Sequence, residues 1–228
     1  MPAPAAAKGC AALLQLASPL LPVGAFAYSQ GLERAVNDGL VHDAASASRW
    51  ILDALEGPLA RFEWPVLARL CEARAADDVA AFAAWNERYL ASRDTAELRA
   101  ETLQMGASLA ALARDLPLPA ASQWLTGVED VTLPAAFAAC ATAMGLSIDD
   151  ALSAGAWGWL ENQVSAALKA VPLGQVAGQR ILLAAHAPLE RALAGARGLG
   201  DDDLASAAPG LALSSALHET QYSRLFRS

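Results

Sequence analysis

The chain has 228 residues, of which 24 are acidic and 16 basic, and a formal net charge of −8. A chain this acidic, without a basic stripe, is a poor binder of nucleic acid or of an anionic membrane, whereas basic partner proteins stay possible. Hydrophobic residues make up 55% of it but aromatic residues only 6%, and no run alternates β-branched with polar residues, so we expect an all-α protein with an ample core.

Proline, glycine and capping residues divide the chain into helical segments joined by short connections. Asp43 is a predicted N-cap and Gly39 a predicted C-cap, while Pro65 predicts a kink or a fresh start within its helix. In the N-terminal half, helices are predicted over residues 10–17, 26–38, 43–56, 59–76 and 77–91.

The C-terminal half continues this pattern. Asp94, with Glu97 three residues later, predicts a capping box for a long helix that reaches Leu116. Further helices are predicted over residues 120–125, 134–144, 148–171 and 175–196. We therefore expect a single helical-bundle-like domain of about ten helices. Its predicted parts are a flexible N-terminus (1–12), the all-α domain (13–197), and an acidic linker with a C-terminal docking segment (198–228).

The last residues of the chain are unlike an ordinary polar terminus. Tyr222, Leu225 and Phe226 stand at the i, i+3, i+4 spacing of one helix face, interleaved with Arg224 and Arg227. Aromatic and arginine side chains commonly anchor protein interfaces, so the pattern predicts docking on the body of the protein or on a partner. A C-terminal helix that closes its own core is the alternative.

The cysteines indicate a reducing compartment. Cys10, Cys71 and Cys140 are odd in number and far apart, which favours reduced, mostly buried thiols and a cytoplasmic protein. No uninterrupted apolar segment reaches membrane-spanning length, and the nearest, over residues 133–148, is short and rich in alanine.

A secretory signal is an alternative interpretation of the N-terminus. Lys8 is followed by an apolar stretch that ends near Ala27, as in a cleaved leader. Gln15, Pro19 and Pro22 interrupt that stretch, so we expect it to belong to the folded protein.

The sequence lacks the common patterns of catalytic and metal sites. Neither Lys8 nor Lys169 lies in a glycine-rich phosphate-binding loop, and no Gly-x-Ser-x-Gly segment is present. The three histidines are far apart in sequence: His42, His186 and His218. No two Cys or His residues stand at the short spacing that is typical of metal ligands. A binding or assembly role is therefore favoured over an enzyme, with no cofactor or metal held by this chain.

Two segments combine polar and aromatic groups in a way that suits partner contact. In the first, a Pro/Gly loop leads into Phe26, Tyr28, Ser29 and Gln30, for which ordinary loop packing is the alternative. In the second, Lys169 either extends to solvent or forms a salt bridge with an acidic residue such as Glu33. Glutamines near it predict an interface or a polar network, because they are costly to bury unpaired: Gln163, Gln175 and Gln179.

Four segments in the same order resemble the UreF family of urease accessory proteins. They are Leu-Pro-Val-Gly with Tyr-Ser-Gln-Gly-Leu-Glu (21–33), Leu-Arg-Ala-Glu-Thr-Leu-Gln-Met-Gly (98–106), Trp-Leu-Glu-Asn-Gln with Pro-Leu-Gly-Gln (159–175), and the terminal segment 218–228. The likeness extends from Leu13 to Ser228. It departs from the family pattern at Ala25, Ala27 and residues 132–138, where the shape of the loop and the roles of residues are less defined.

The resemblance implies an all-α, homodimeric, cytoplasmic protein that is not an enzyme. It would bridge the UreD/UreH-type accessory protein and the UreG-type GTPase, and regulate GTP-dependent nickel delivery to apo-urease. Nickel would be handled by the complex rather than stored in this chain. The implied partner-binding residues are Tyr28, Gln30, Glu33, Lys169, Gln175, Tyr222, Arg224, Leu225, Phe226 and Arg227.

Two other hypotheses stay open at this level. The chain could hydrolyse GTP or bind nickel catalytically on its own, which turnover or metal retention by the isolated protein would test. Alternatively, it could be an unrelated all-α interaction scaffold with a self-packed C-terminal helix.

Overall fold

The computed structural model describes residues 5–228, with side chains from residue 9 onward, and within that range it contains eleven α-helices and no strand. The all-α prediction is confirmed. The helices are α1 (Ala5–Ala17), α2 (Leu32–Asn37), α3 (Ala44–Ala54), α4 (Trp64–Ala75), α5 (Val79–Ala91), α6 (Ala96–Asp115), α7 (Pro119–Leu125), α8 (Leu133–Ala143), α9 (Ile148–Ala170), α10 (Gln175–Ala196) and α11 (Pro209–His218). Residues 1–4 of the predicted flexible N-terminus lie outside the described residues, and α1 begins at Ala5 rather than at Cys10.

The predicted helix over residues 26–38 is wrong in its first half. A single 3-10 turn, Ala25–Ala27, is followed by Gln30 at φ 53° and Gly31 at φ 80°, and α2 begins only after them. Left-handed backbone at two consecutive residues cannot continue a right-handed helix. The loop 25–31 is therefore a separate element that turns the chain into α2.

The caps of the neighbouring helices follow the sequence more closely. Gly39 lies at φ 74° after α2, as predicted for a C-cap glycine. The Asp43 side chain accepts a hydrogen bond from the Ser46 backbone nitrogen at 2.8 Å and caps α3. After α3 the chain makes a wide π-type turn, Leu55–Glu63, in which Gly57 has non-helical backbone angles.

The start of α6 differs from the predicted capping box at Asp94. The Thr95 hydroxyl accepts from the Leu98 backbone nitrogen at 3.2 Å and acts as the cap. Glu97, predicted to fold back on the helix start, instead bonds to side chains of the C-terminal segment.

The described chain forms two compact units, each assembled from separate stretches of sequence. One unit contains residues up to 24, 66–91 and 102–158. The other contains residues 25–65, 92–101 and 159–228. The predicted limits at residues 12 and 197 stay predictions.

The first unit is built around α8. Residues 134–141 of α8 are all buried, and the helix packs against α1, α5 and α7. Asn86 of α5 holds the start of α8, because its side-chain oxygen accepts from the Thr132 backbone nitrogen at 3.0 Å and from the Thr132 hydroxyl at 2.8 Å. Gly106 approaches the same connection so closely that a Cβ there would lie 2.1 Å from the Val131 carbonyl oxygen.

The second unit contains the segments that resemble the family most specifically. Its helix α10 packs on α3 and on the turn 55–63, while α11 packs on α2. Gly31 permits that second contact, because a Cβ on it would lie 3.1 Å from the Ser215 backbone nitrogen of α11. Within residues 5–228, no helix is both long enough and apolar enough to cross a membrane.

Candidate partner-docking site

The last ten residues, 219–228, which we call the tail, are ordered without being helical. The chain leaves α11 at His218 and continues in turns and extended backbone to Ser228. The alternative of a C-terminal helix that carries Tyr222, Leu225 and Phe226 on one face is therefore wrong. Hydrogen bonds to side chains of the second unit hold the tail instead of an internal helical ladder.

Glu33 of α2 is the main anchor of the tail. The residue is only 7% exposed, and its carboxylate accepts hydrogen bonds from the backbone nitrogens of Leu225 (2.7 Å) and Phe226 (2.9 Å). Backbone N–H groups that pair with an ionised carboxylate form some of the stronger hydrogen bonds in proteins. Phe226 is thereby fixed in the core at 5% exposure.

His218 joins Glu33 to a second carboxylate at the end of α11. The imidazole is fully buried, with its Nε2 atom 3.1 Å from Glu33 and its Nδ1 atom 2.7 Å from Glu97. Both carboxylates accept, so the ring donates to both only when each nitrogen carries a proton. Arg224 of the tail pairs with the other oxygen of Glu97 at 2.8 Å.

The final residues of the tail are bound to the loop 25–31. The Arg227 backbone nitrogen donates to the Ala27 carbonyl at 2.7 Å, and the Ser29 nitrogen donates to the Ser228 carbonyl at 2.8 Å. The Ser29 hydroxyl also donates to that carbonyl in a short contact. The loop and the tail are thus hydrogen-bonded to each other through their backbones.

Glu101, a buried residue of α6, binds both the loop and the tail. It accepts from the Gln30 side chain at 2.8 Å and from the Ser228 hydroxyl at 2.9 Å. Burial raises the pKa of its carboxyl from 4.5 to about 7, and the two hydrogen bonds, from Gln30 and Ser228, offset part of that rise. Glu63 also raises this pKa and Arg93 lowers it, each through its charge.

Gln30 connects the loop to α9. Its side-chain oxygen accepts from the Trp159 indole nitrogen at 2.8 Å and from Gln163 at 3.4 Å. Asn162 donates to the Tyr28 carbonyl at 3.1 Å. The polar network that the glutamines predicted is therefore present around Gln30 and Gln163, and it keeps Gln30 in its left-handed conformation.

The outer side of loop and tail exposes apolar and cationic groups. Phe26 is 69% exposed, Leu225 71% and Tyr222 fully exposed. The Lys169 ammonium lies 5.7 Å from the centre of the buried Phe226 ring and 6.0 Å from that of Phe26, within reach of weak cation–π attraction. The alternative of a salt bridge between Lys169 and Glu33 is wrong, because the Glu33 carboxylate is occupied by His218 and the tail.

The structure divides the ten residues assigned from the resemblance into two kinds. Tyr28, Glu33 and Phe226 are buried, and Gln30 is half-buried. Burial raises the pKa of the Tyr28 phenol, while its hydrogen bond with Arg227 offsets part of that rise. The others are exposed: Lys169, Gln175, Tyr222, Arg224, Leu225 and Arg227.

The side chains of Gln175 and Tyr222 take no part in this hydrogen-bonded network. Gln175 is the first residue of α10, and its side chain makes no hydrogen bond to any described residue. The residues that sequence reasoning missed are Glu97, Glu101, His218 and Ser29 as tail ligands. For Glu97 and Glu101, the signal in the sequence is a pair of acidic residues four positions apart near the start of α6. The capping interpretation accounted for Glu97 and so gave no reason to look for another role.

In the part of the chain that the structure describes, no three His, Cys, Asp or Glu side chains are grouped so that they could hold a metal ion. The pair of carboxylates around His218 is instead engaged with the tail. The hydrogen bonds hold the backbone of the loop and the tail in one conformation and leave Phe26, Tyr222 and Leu225 exposed. Such an arrangement is suited to binding another protein.

Comparison with known proteins agrees with the resemblance. The UreF family model matches residues 41–186. Urease accessory protein UreF of Janthinobacterium sp. (strain Marseille) is 51% identical over 95% of this chain and 96% of its own length. The proteins of the same name from Azoarcus sp. (strain BH72) and Delftia acidovorans are 53% and 50% identical, over 95% and 97% of this chain and 94% and 98% of their own lengths.

The chain therefore belongs to the UreF family of urease accessory proteins. Members of this family are accessory proteins rather than catalysts, so the hypothesis of an enzyme is wrong, as is that of an unrelated helical scaffold.

Proposed function

We propose that this chain bridges a UreD/UreH-type accessory protein and a UreG-type GTPase, and regulates GTP-dependent delivery of nickel to apo-urease. Nickel is then the cargo of the whole complex and not a resident cofactor of this chain. The chain acts as a homodimer in the cytoplasm, where urease is assembled.

The proposal rests on one observation: the backbone of the tail is held by buried hydrogen bonds, whereas several of its side chains are exposed to solvent. Glu33 fixes the backbone at Leu225 and Phe226, while Tyr222 and Leu225 extend into solvent. A segment held in one conformation before binding loses less conformational entropy on docking. Exposed aromatic and arginine side chains on such a segment are the residue types that contribute most to protein–protein affinity.

The ten residues then have distinct roles in recruiting the GTPase. Tyr28, Gln30, Glu33 and Phe226 are positioning residues, since they are buried or half-buried beneath the surface. The contact residues are Lys169, Tyr222, Arg224, Leu225 and Arg227. Gln175 stays a proposed contact at a separate position on α10.

A point variant tests the proposal better than a truncation. Deletion of residues 224–228 would remove Phe226 from the core and leave Glu33 and Glu101 without their tail partners. Arg224→Ala removes one half-exposed side chain and leaves Glu97 paired with His218. Arg180→Ala on α10 is a matched control, because Arg180 is exposed and its side chain makes no hydrogen bond or ion pair with described residues.

The assay is co-purification of the chain with the UreD-type and UreG-type proteins. We expect Arg224→Ala to lose the GTPase from the complex and keep the UreD-type protein, while Arg180→Ala keeps both. Retention of the GTPase by Arg224→Ala, with affinity unchanged, would contradict the proposed site.

A further inference from the structure

The tail begins and ends on side chains that can bind or release a proton. It starts directly after His218, the last residue of α11, and it ends at Ser228, whose hydroxyl donates to Glu101. Both His218 and Glu101 are buried. Because a buried group ionises only at a cost that depends on its partners, docking of the tail is linked to the protons that these two residues hold.

Every oxygen of the two carboxylates around His218 receives an N–H group. Glu33 accepts from the ring and from two backbone nitrogens of the tail, at distances of 2.7 to 3.1 Å. Glu97 accepts from the ring at 2.7 Å and from Arg224 at 2.8 Å. A neutral imidazole donates from only one of its nitrogens. This set of hydrogen bonds is therefore complete only when both ring nitrogens of His218 carry protons.

The charges of this cluster balance only in the same state. Glu33 and Glu97 contribute two negative charges, while Arg224 and a doubly protonated His218 contribute two positive ones. The His218 side chain is 0% exposed, and those of Glu33 and Glu97 are 9% and 11% exposed, so water reaches them little. Loss of one ring proton would leave a lone pair against a carboxylate and an uncompensated buried charge, which is strongly unfavourable.

Release of the tail would relieve that imbalance. The Oε2 atom of Glu33 accepts from both the His218 ring and the Phe226 backbone nitrogen, so a change at the ring acts directly on the tail. Once the tail has left, water can donate to the carboxylates in its place. Glu219, which follows His218 in the chain, is bound to the Ala96 backbone nitrogen at 2.9 Å and does not compete for the ring.

Glu101 adds a second proton-dependent contact at the far end of the tail. Its pKa is about 7 with the tail docked, raised mainly by burial. Undocking of Ser228 would let water reach the carboxyl, which lowers that pKa, so opening at this end releases a proton near neutral pH. Among the described residues, the other titratable groups that interact with Glu101 through their charge are Glu63, Arg93 and Tyr28.

We propose that His218 and Glu101 form a proton-controlled latch, which holds the tail docked while both are protonated and releases it as the pH rises. Both contacts change in the same direction, since each binds more protons with the tail docked than with the tail open. A released tail no longer holds Tyr222 and Leu225 in one conformation, so the pH sets the share of molecules that are ready to bind a partner. The latch is a property of the chain alone and goes beyond the proposed function, which can stand without it.

Amide hydrogen exchange at Leu225 and Phe226 measures the opening of the latch in the full chain. Division of each exchange rate by the intrinsic rate at the same pH gives the opening constant of the tail. We expect this constant to rise at least about tenfold between about pH 5 and pH 8, because each proton released on opening contributes up to about tenfold per pH unit.

Three variants separate the two halves of the latch. Glu101→Gln should remove the part of the pH dependence that is due to Glu101. In Glu97→Gln the amide nitrogen can donate to Nδ1 of a neutral ring, so the part due to His218 should disappear while the tail stays docked. The double variant should then show no pH dependence. Glu190→Gln is the matched control and should follow the wild type, because Glu190 is exposed and its side chain makes no hydrogen bond or ion pair with described residues.

Nuclear magnetic resonance of the His218 ring nitrogens tests the latch in the wild type, without any variant that could fail to fold. We expect both nitrogens to carry protons for as long as the tail is docked. A docked tail around a singly protonated ring would overturn the role of His218. An opening constant that does not change with pH, or that changes equally in the wild type and the double variant, would overturn the latch as a whole.

Discussion

The Oε2 atom of Glu33 lies 2.9 Å from the backbone nitrogen of Phe226, a residue 193 positions later in the chain. The same carboxylate reaches the Leu225 nitrogen and the His218 ring. One buried side chain at the second position of α2 therefore determines the path of the tail. The surface proposed to bind the GTPase therefore depends on the hydrogen bonds of Glu33, which are buried beneath that surface.

Glu33→Gln should unfold the tail before the rest of the protein. An amide has one accepting oxygen, so its nitrogen would face a backbone N–H donor where the carboxylate accepted. We expect a loss of about 2 kcal/mol in the free energy of unfolding and faster amide exchange at Leu225 and Phe226. Urea denaturation and hydrogen exchange measure both quantities. Glu190→Gln, at an exposed position whose side chain makes no hydrogen bond or ion pair with described residues, should change the free energy of unfolding by less than about 0.5 kcal/mol.

Glu101 should make stability depend on pH near neutrality. Its pKa is raised from 4.5 to about 7 in the folded protein, so between these values the folded state binds more protons than the unfolded state. The resulting contribution to stability is complete below pH 4.5 and is lost as the pH rises through about 7. The difference sets an upper limit of about 3 kcal/mol.

Glu101→Gln removes that titration and retains the shape of the protonated side chain. The unfolding free energy of the wild type should therefore fall relative to that of the variant as the pH is raised from 5 to 8. Parallel pH profiles for the two proteins would show that Glu101 is ionised at the same pH in both states.

Gly106→Ala should destabilise the first unit. Its Cβ would lie 2.1 Å from the Val131 carbonyl oxygen and 2.6 Å from the Thr132 carbonyl carbon, and both are backbone atoms that cannot turn aside. We expect the free energy of unfolding, measured by thermal denaturation, to fall by about 1–3 kcal/mol. Gly195→Ala in α10 is the matched control, because nothing lies within 4 Å of its added Cβ; it should stabilise the helix by about 0.5–1 kcal/mol.

Lys169→Met should have little effect on folding. The ammonium lies 5.7 Å and 6.0 Å from two ring centres but is exposed, and such a contact contributes about 0.5–1 kcal/mol. The unfolding free energy should therefore change by less than about 1 kcal/mol, while GTPase affinity falls. A large loss of stability, with affinity for the GTPase intact, would make Lys169 a structural residue.

Sequence reasoning predicted the fold class, and it placed both ends of α10 correctly, because composition and helix breakers act locally. It misplaced the start of α2, since the left-handed conformation of Gln30 is imposed by Glu101 and Trp159 from distant parts of the chain. The tail was misinterpreted for the same reason. The tail has the residue spacing of a helix, but hydrogen bonds from its backbone to Glu33 hold it in a non-helical conformation. Glu33 lies more than 190 residues away, so no sequence pattern within the tail indicates this contact.

The candidate site was predictable only in its residue types. Exposed aromatic and arginine residues in the tail indicated docking, and the resemblance added Tyr28, Glu33 and Lys169. The carboxylates Glu97 and Glu101 could not be assigned from sequence, because an acidic residue near a helix start is equally typical of a cap. Their pairing with His218 and Ser228 joins residues more than 120 positions apart.

The most direct test of the account is the affinity of the UreG-type GTPase for the chain with Tyr222→Ala, measured in complex with the UreD-type protein. Tyr222 is fully exposed, and its side chain makes no hydrogen bond or ring contact with any described residue, so its truncation changes the docking surface and leaves the fold alone. Leu40→Ala, at 62% exposure on the same unit, is the control. The account predicts at least about a tenfold rise in Kd for Tyr222→Ala and none for Leu40→Ala. Equal affinity for Tyr222→Ala and the wild type would contradict the tail as the docking element.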